Sequence, residues 1–224
     1  IFPAPQKMMQ FGLQQKRAVM NLGAGTGKTV GFLGTVQELK ATGKLKTFAF
    51  HTMPSRLTKE FYKDRDKFFP DMTVLNLDNV KGGIEGKIKA LADAAAGKYD
   101  MVISGHDSMK STATSKDITA HINTRFEEAW TEKNGGEWVT PTTQERKAFI
   151  AENTDAWTKE VVAAKDLPNA IRAANPTIVT IDEAHEVVKD WDKKESLRFK
   201  AAKTISGGAE YFIPATGTMV KNDI

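Results

Sequence analysis

The sequence of 224 residues contains no cysteine. That excludes disulfides and thiolate metal centres, and it fits a cytosolic chain. No apolar run approaches the ~20 residues of a membrane-spanning helix, so no membrane partner is expected. The first residues, Ile1-Phe2-Pro3-Ala4-Pro5, lack the basic-then-apolar pattern of a secretory leader. They also lack an initiator Met, which fits a fragment or a processed chain. There are no repeats and no low-complexity tracts. Charge of neither sign dominates, with 32 Lys and Arg against 28 Asp and Glu. The distribution is uneven: residues 1–70 carry twelve basic and four acidic residues, and the rest carries twenty and twenty-four. A basic first third either meets a polyanion or is a solvated lysine-rich surface, and charge alone does not choose.

What is present reads as one large α/β domain, or one domain with an insertion. Residues 6–17 predict a helix with Met9 and Leu13 on one face, followed by a short strand over 18–22. Thr47 to His51, Met72 to Leu77, Tyr99 to Ser104, Thr177 to Ile181 and Tyr211 to Ala215 read as further strands. Helices fall between them. One ends near Gly43, one is capped by Ser55 and stopped by Pro70, and one carries Ile84, Ile88 and Leu91 and ends at Gly97. A fourth, near 193–205, starts at a capping-box-like Asp192 and Glu195. Strands alternating with helices predict a mostly parallel sheet with helices on both faces. The stretch 110–175 breaks the alternation. It is helix-prone, holds Trp130, Trp138 and Trp157, and contains the turn signal Asn134-Gly135-Gly136. It is expected to be a helical insertion within a single domain spanning 1–224, its tryptophans forming a small core of their own.

The most informative stretch is Leu22-Gly23-Ala24-Gly25-Thr26-Gly27-Lys28-Thr29. It follows the apolar Ala18-Val19-Met20 and precedes Val30, Leu33, Val36 and Leu39 at helical spacing. Strand, glycine-rich loop and helix are what a phosphate loop needs. Gly23, Gly25 and Gly27 let the backbone turn its N–H groups onto phosphates, and the helix N-terminus adds positive potential. Lys28 can reach the β- and γ-phosphates, and the Thr29 hydroxyl can hold Mg²⁺. Leu22 stands where the G-x-x-x-x-G-K-[ST] pattern has its first glycine.

A second motif complements the first. Ile178-Val179-Thr180-Ile181-Asp182-Glu183-Ala184-His185 is a β-branched strand ending in two acids. Asp182 can hold Mg²⁺ opposite Thr29, and Glu183 can orient and deprotonate an attacking water. His185 can hydrogen-bond to a neighbouring loop and report the nucleotide state.

With both motifs in place, the chain resembles the superfamily 2 helicases and translocases, closest to the Swi/Snf-type DEAH-box branch. Pro5-Gln6 resembles the upstream glutamine motif, which implies that Gln6 reads adenine. The loop at 22–29 resembles Walker A, with Gly23, Gly25, Thr26, Gly27, Lys28 and Thr29 as nucleotide contacts. Asp182-Glu183-Ala184-His185 resembles Walker B. His51-Thr52-Met53-Pro54-Ser55 and the strand-and-loop Tyr99 to Ser108 resemble two segments that touch the nucleic-acid backbone. They imply contacts from Pro54, Ser55, Gly105 and His106. Ala215-Thr216-Gly217-Thr218-Met219 resembles the signature coupling hydrolysis to movement, with Met219 in place of proline and Ala215 in place of leucine. The resemblance implies a RecA-like ATP-binding first lobe and places Lys28, Asp182 and Glu183 in catalysis. It implies His185, Thr216, Gly217 and Thr218 in coupling, ATP and Mg²⁺ as cofactors, and double-stranded DNA as the nucleic acid. The site would be completed by a second RecA-like lobe carrying arginines, without which turnover is slow. A cytoplasmic protein of bacterial or phage origin is the expectation. The insertion at 110–175 departs from the family, and DNA, a partner protein or another part of a longer chain all remain open as its contact.

Other residues keep two readings. Lys59, Lys63, Arg65 and Lys67 either extend a backbone-contacting surface or pair with Glu60, Asp64 and Asp66. Ser55 is a phosphate donor or a plain helix cap. Phe61 and Phe68 are expected in the core and not as base-stacking platforms. His51, His106 and His121 have no metal-ligand spacing. The rival to a motor lobe is a nucleotide-dependent clamp without useful turnover. A small-molecule kinase is disfavoured, since it needs no water-activating Glu183.

Overall fold

The computed structural model describes residues 3–23, 25–188 and 195–217. In chain order the elements are α1 (Pro3–Gln15), β1 (Met20–Asn21), α2 (Lys28–Ala41), β2 (Ala49–Met53), α3 (Thr58–Phe68), β3 (Val74–Asn76), α4 (Gly83–Ala95), β4 (Met101–Gly105), α5 (Ser115–Lys133), α6 (Thr143–Ala164), α7 (Leu167–Ala173), β5 (Ile178–Ile181), α8 (His185–Val188), α9 (Leu197–Ser206) and β6 (Tyr211–Thr216). The strands form one sheet in the order β1-β6-β5-β2-β4-β3. Every pairing in it is parallel. This is the α/β architecture expected of a RecA-like domain. Parallel neighbours need crossovers, so the strands all point one way and their C-terminal ends share one edge of the sheet.

Period-2 alternation divides the strands between two cores. Phe48, Phe50, Val102, Val179 and Ile181 face one way, against Leu91 of α4, Ile171 of α7 and Ile205 of α9. Ala49, Met53, Met101, Ile103, Ile178 and Ile213 face the other way, against Met8 of α1, Leu33 and Val36 of α2 and Phe61 of α3. Both faces are covered, which is why these strands read as near-continuous apolar runs.

Several boundaries move for physical reasons. The second strand begins at Ala49 and not Thr47, because the backbone N–H groups of Lys46 and Thr47 both donate to the Thr177 hydroxyl, each at 3.0 Å. That side-chain bond replaces the ladder there. Ser55 does not cap α3: residues Ser55–Leu57 form a 3₁₀ turn, and the cap position is Leu57, without a side-chain bond. In α1 the fully buried residues are Pro5, Met8 and Gly12. Leu13 is partly buried and packs against the same core, while Met9 is not part of it. Met8 seats on Gly31 of α2, and Gly12 lies under Ile213, so the small residues set the register of that helix. The last helix is capped by Ser196, which accepts from the Phe199 N–H at 3.1 Å. Asp192 and Met219 lie outside the described residues.

Residues 111–166 form a second compact unit; the described residues of 1–110 and 167–224 form the first. Within the second unit, α5 and α6 each start with a capping box, Thr114 with Asp117 and Thr142 with Glu145. Phe126, Trp130 and Trp157 are buried together there, with Phe149 against them. The Trp130 indole donates to the Val139 carbonyl at 2.7 Å. Trp138 stays half exposed, edge-on to Phe126. Leu167 and Ile171 of α7 sit in the core of the first unit. No helix among the described residues is long and apolar enough to cross a membrane.

Candidate functional site: the phosphate loop and the strand ends

The loop between β1 and α2 ends at Gly27, which caps α2 with φ +82° and without any side-chain bond to the first-turn N–H groups. A Cβ at Gly27 would stand 2.8 Å from Pro5 Cγ, in a conformation L side chains rarely adopt, so only glycine serves. The uncapped N-terminus of α2 thus presents N–H groups and positive potential toward an anion. Thr26 Oγ1 closes the loop by donating to the Gly23 carbonyl at 2.8 Å. Leu22 extends the β1 pairing, its N–H donating to Thr216 at 2.9 Å. Position 22 therefore acts as strand and not as loop, which accounts for a non-glycine there. Lys28 is buried, and its ammonium donates to the Leu22 carbonyl at 3.3 Å.

Two strands away, β5 delivers the acids. Asp182 is 5% exposed, and burial raises its carboxyl above the ordinary carboxylate value. Its backbone N–H continues the pairing with β2 by donating to Thr52. Glu183 then adopts φ +49°, a left-handed conformation uncommon for a residue with a Cβ. Its carboxylate lies 3.5 Å from the Lys28 ammonium. Lys28, Thr29, Asp182 and Glu183 line one cavity of about 890 Å³ with Gly25, Thr26 and Gly27. Gly23 is exposed at the mouth of the loop. Gln6 is exposed on α1 and is not among the walls of this cavity.

β6 lies between β1 and β5, so its end, Thr216, stands between the phosphate loop and the acids. His185 Nδ1 is 2.8 Å from Thr216 Oγ1 and 3.3 Å from Glu183 Oε2. Thus three of the sequence-selected residues form one chain, Glu183 to His185 to Thr216. Gly217 follows, half-buried, and Thr218 lies outside the described residues.

The ends of β2 and β4 bring Pro54, Ser55, Gly105 and His106 together. Met53 and Gly105 are register partners, and the His106 N–H donates to the Met53 carbonyl at 3.0 Å. Gly105 donates to Asp78 Oδ2 at 3.0 Å, and a Cβ there would collide with Ser55 Oγ. Of the four, Ser55 alone is exposed. The His106 ring is buried, which lowers its pKa to about 4. His51, sandwiched between Phe32 and Phe61 and bonded to Thr180 Oγ1 at 2.7 Å, is lowered to about 3 by the same cause. It is a neutral core residue. No group of three or more His, Cys, Asp or Glu able to hold a metal exists among the described residues.

The basic first third is partly matched by later acids: Lys16 and Lys46 both reach Glu210 at 3.0 Å, Lys40 reaches Asp100 and Arg56 reaches Glu186. Lys59, Lys63 and Lys67 remain exposed along α3. Sequence reasoning missed the other wall of the cavity, Leu57, Glu60, Asp64, Lys67 and Phe68. Their spacing, repeated every three or four residues, is the signal of one helix face.

No family model matches the chain, and no curated protein matches it in sequence. Solved structures do. The Sulfolobus solfataricus SWI2/SNF2 ATPase core in complex with dsDNA is 16% identical over 98% of this chain and 31% of that one, with a TM-score of 0.52. The Sulfolobus solfataricus SWI2/SNF2 ATPase core domain is 15% identical over 97% of this chain and 30% of that one, with a TM-score of 0.53. The chain spans under a third of the length of either. In fold, it is similar to one part of a SWI2/SNF2 ATPase core: a RecA-like α/β domain.

Proposed function

We propose that this chain is the ATP-binding lobe of an ATP-dependent DNA translocase or helicase. The observation that carries the reading is the meeting of Lys28 and Glu183 in a cavity that also holds Thr29 and Asp182. A triphosphate would take the uncapped α2 N-terminus and the Lys28 ammonium. One hydroxyl and one carboxylate suit Mg²⁺, which keeps waters and phosphate oxygens for its remaining positions. Thr29 and Asp182 would hold it, and its charge would offset that of the phosphates. Glu183 would orient and deprotonate the attacking water once Lys28 turns to phosphate. The chain of bonds to His185 and Thr216 would carry the state of Glu183 to the end of β6. Double-stranded DNA, which one of the fold relatives holds, would lie along the loops after β2 and β4. Ser55, the exposed member of the set, would meet a phosphate there without reading bases.

No arginine lines the cavity among the described residues. A residue of that type is worth roughly 10³–10⁵ in phosphoryl-transfer rate, so a second lobe is expected to supply it and the chain alone to turn over slowly. Residues 111–166 are an insertion within this single lobe, shorter at both ends than the 110–175 expected from sequence, because Leu167 and Ile171 belong to the core of the first unit. The test is Glu183→Gln. A motor lobe keeps Mg·ATP binding and loses hydrolysis and DNA-dependent function; a nucleotide-dependent clamp is little changed. Brisk DNA-stimulated hydrolysis by this chain alone would overturn the need for a second lobe.

A further inference from the structure

The cavity is built from two unlike sets of groups. One is the phosphate loop with Lys28, Thr29 and the acids after β5. The other is a single face of α3, Glu60, Asp64, Lys67 and Phe68, with the cap residue Leu57, sharing the cavity with Pro3 and Pro5. From Leu57 to Phe68 that face runs roughly 16 Å at 1.5 Å per residue, long enough to accompany an extended nucleotide. Glu60 and Asp64 stand one turn apart with like charge, an arrangement that costs helix stability and repels phosphate. Burial raises the Asp64 carboxyl. Ionised carboxylates only accept hydrogen bonds, and the donors a nucleotide offers are its sugar hydroxyls and base N–H groups. Phe68 is half-buried and lines the cavity, and Lys67 Nζ lies 4.9 Å from its ring centroid. Gln6 is exposed and outside these walls.

We infer that α3 holds the nucleoside half of the ligand, with Phe68 as the platform for the base and Asp64 as the acceptor for the ribose hydroxyls. The inference rests on the triphosphate reading above. It makes the site selective for the sugar and tolerant of the base, because Phe68 offers a ring face and not a hydrogen-bonding edge.

The experiment compares Mg·ATP, Mg·2′,3′-dideoxyATP and Mg·tripolyphosphate as ligands of the whole chain. Phe68→Ala is expected to weaken ATP about tenfold, the scale of one lost base–aromatic stack, and to leave tripolyphosphate unchanged. Asp64→Asn is expected to bring the ratio of ATP to dideoxyATP affinity close to one. GTP is expected within a few-fold of ATP, and Gln6→Ala to change nothing. Lys28→Ala separates the two levels of the argument. If it weakens both ATP and tripolyphosphate at least about tenfold while Phe68→Ala and Asp64→Asn leave ATP untouched, the α3 assignment fails and the triphosphate site stands. If Lys28→Ala changes nothing, the triphosphate site itself fails. Should Phe68→Ala lose tripolyphosphate by misfolding, the near-isosteric Asp64→Asn decides alone.

Discussion

Lys28 Nζ lies 3.5 Å from Glu183 Oε1, joining the end of the phosphate loop to the end of β5. The pair holds the loop's cation in place before any nucleotide arrives, and nucleotide must compete for it. Lys28→Ala removes the cation and leaves Glu183 without its partner. Charge-assisted hydrogen bonds contribute about 1.5–3 kcal/mol, so Mg·ATP affinity should fall roughly tenfold to a hundredfold. Titration with a fluorescent ATP analogue, alongside far-ultraviolet circular dichroism to confirm folding, checks this.

The His185 and Thr216 contact at 2.8 Å should behave as one unit. Thr216→Val and His185→Ala should each lower unfolding free energy by about 1 kcal/mol, and the double variant by little more than either single one. Urea denaturation of the four proteins gives the coupling directly. Strict additivity would remove this bond from the path between Glu183 and β6.

Two buried histidines make stability depend on acid. His51 and His106 have folded-state values of about 3 and about 4, below the ordinary 6.5. Because the unfolded chain binds these protons and the folded chain does not, stability is intact above pH 6.5. It is lost as pH falls through the window down to about 4 for His106 and about 3 for His51. Within that window each histidine contributes a slope of up to about 1.4 kcal/mol per pH unit. Urea midpoints at pH 7 and pH 5 measure it, and His106→Gln should flatten the dependence.

Every residue lining the cavity lies outside 111–166. Met109 and Leu167, on either side of that stretch, are buried in the same core. Replacing 111–166 by a short Gly-Ser linker should therefore leave Mg·ATP affinity within about twofold of the parent, a change below roughly 0.4 kcal/mol. A larger loss would show that the insertion supports the site.

The local chemistry of this protein is written in order along the chain. A glycine that must take φ +82° before Lys28, a β-branched run ending in Asp182 and Glu183, and strands that alternate with helices are all short-range statements. Backbone sterics and periodicity suffice to read them, and the parallel sheet follows from them. The strand ends were less legible, since Thr177 intercepts Lys46 and Thr47 from far along the chain. What only the tertiary structure decided is which of these groups meet. The strand order inserts β6 between β1 and β5, and so sets Thr216 beside His185. A left-handed turn at Glu183 returns its carboxylate to Lys28. The packing of α3 against α2 makes Glu60, Asp64 and Phe68 a wall of the same cavity, while Gln6 remains outside it. Sequence spacing fixes which side chains share a face. Contacts between elements depend on crossovers and packing across the whole sheet, and these have no local signature.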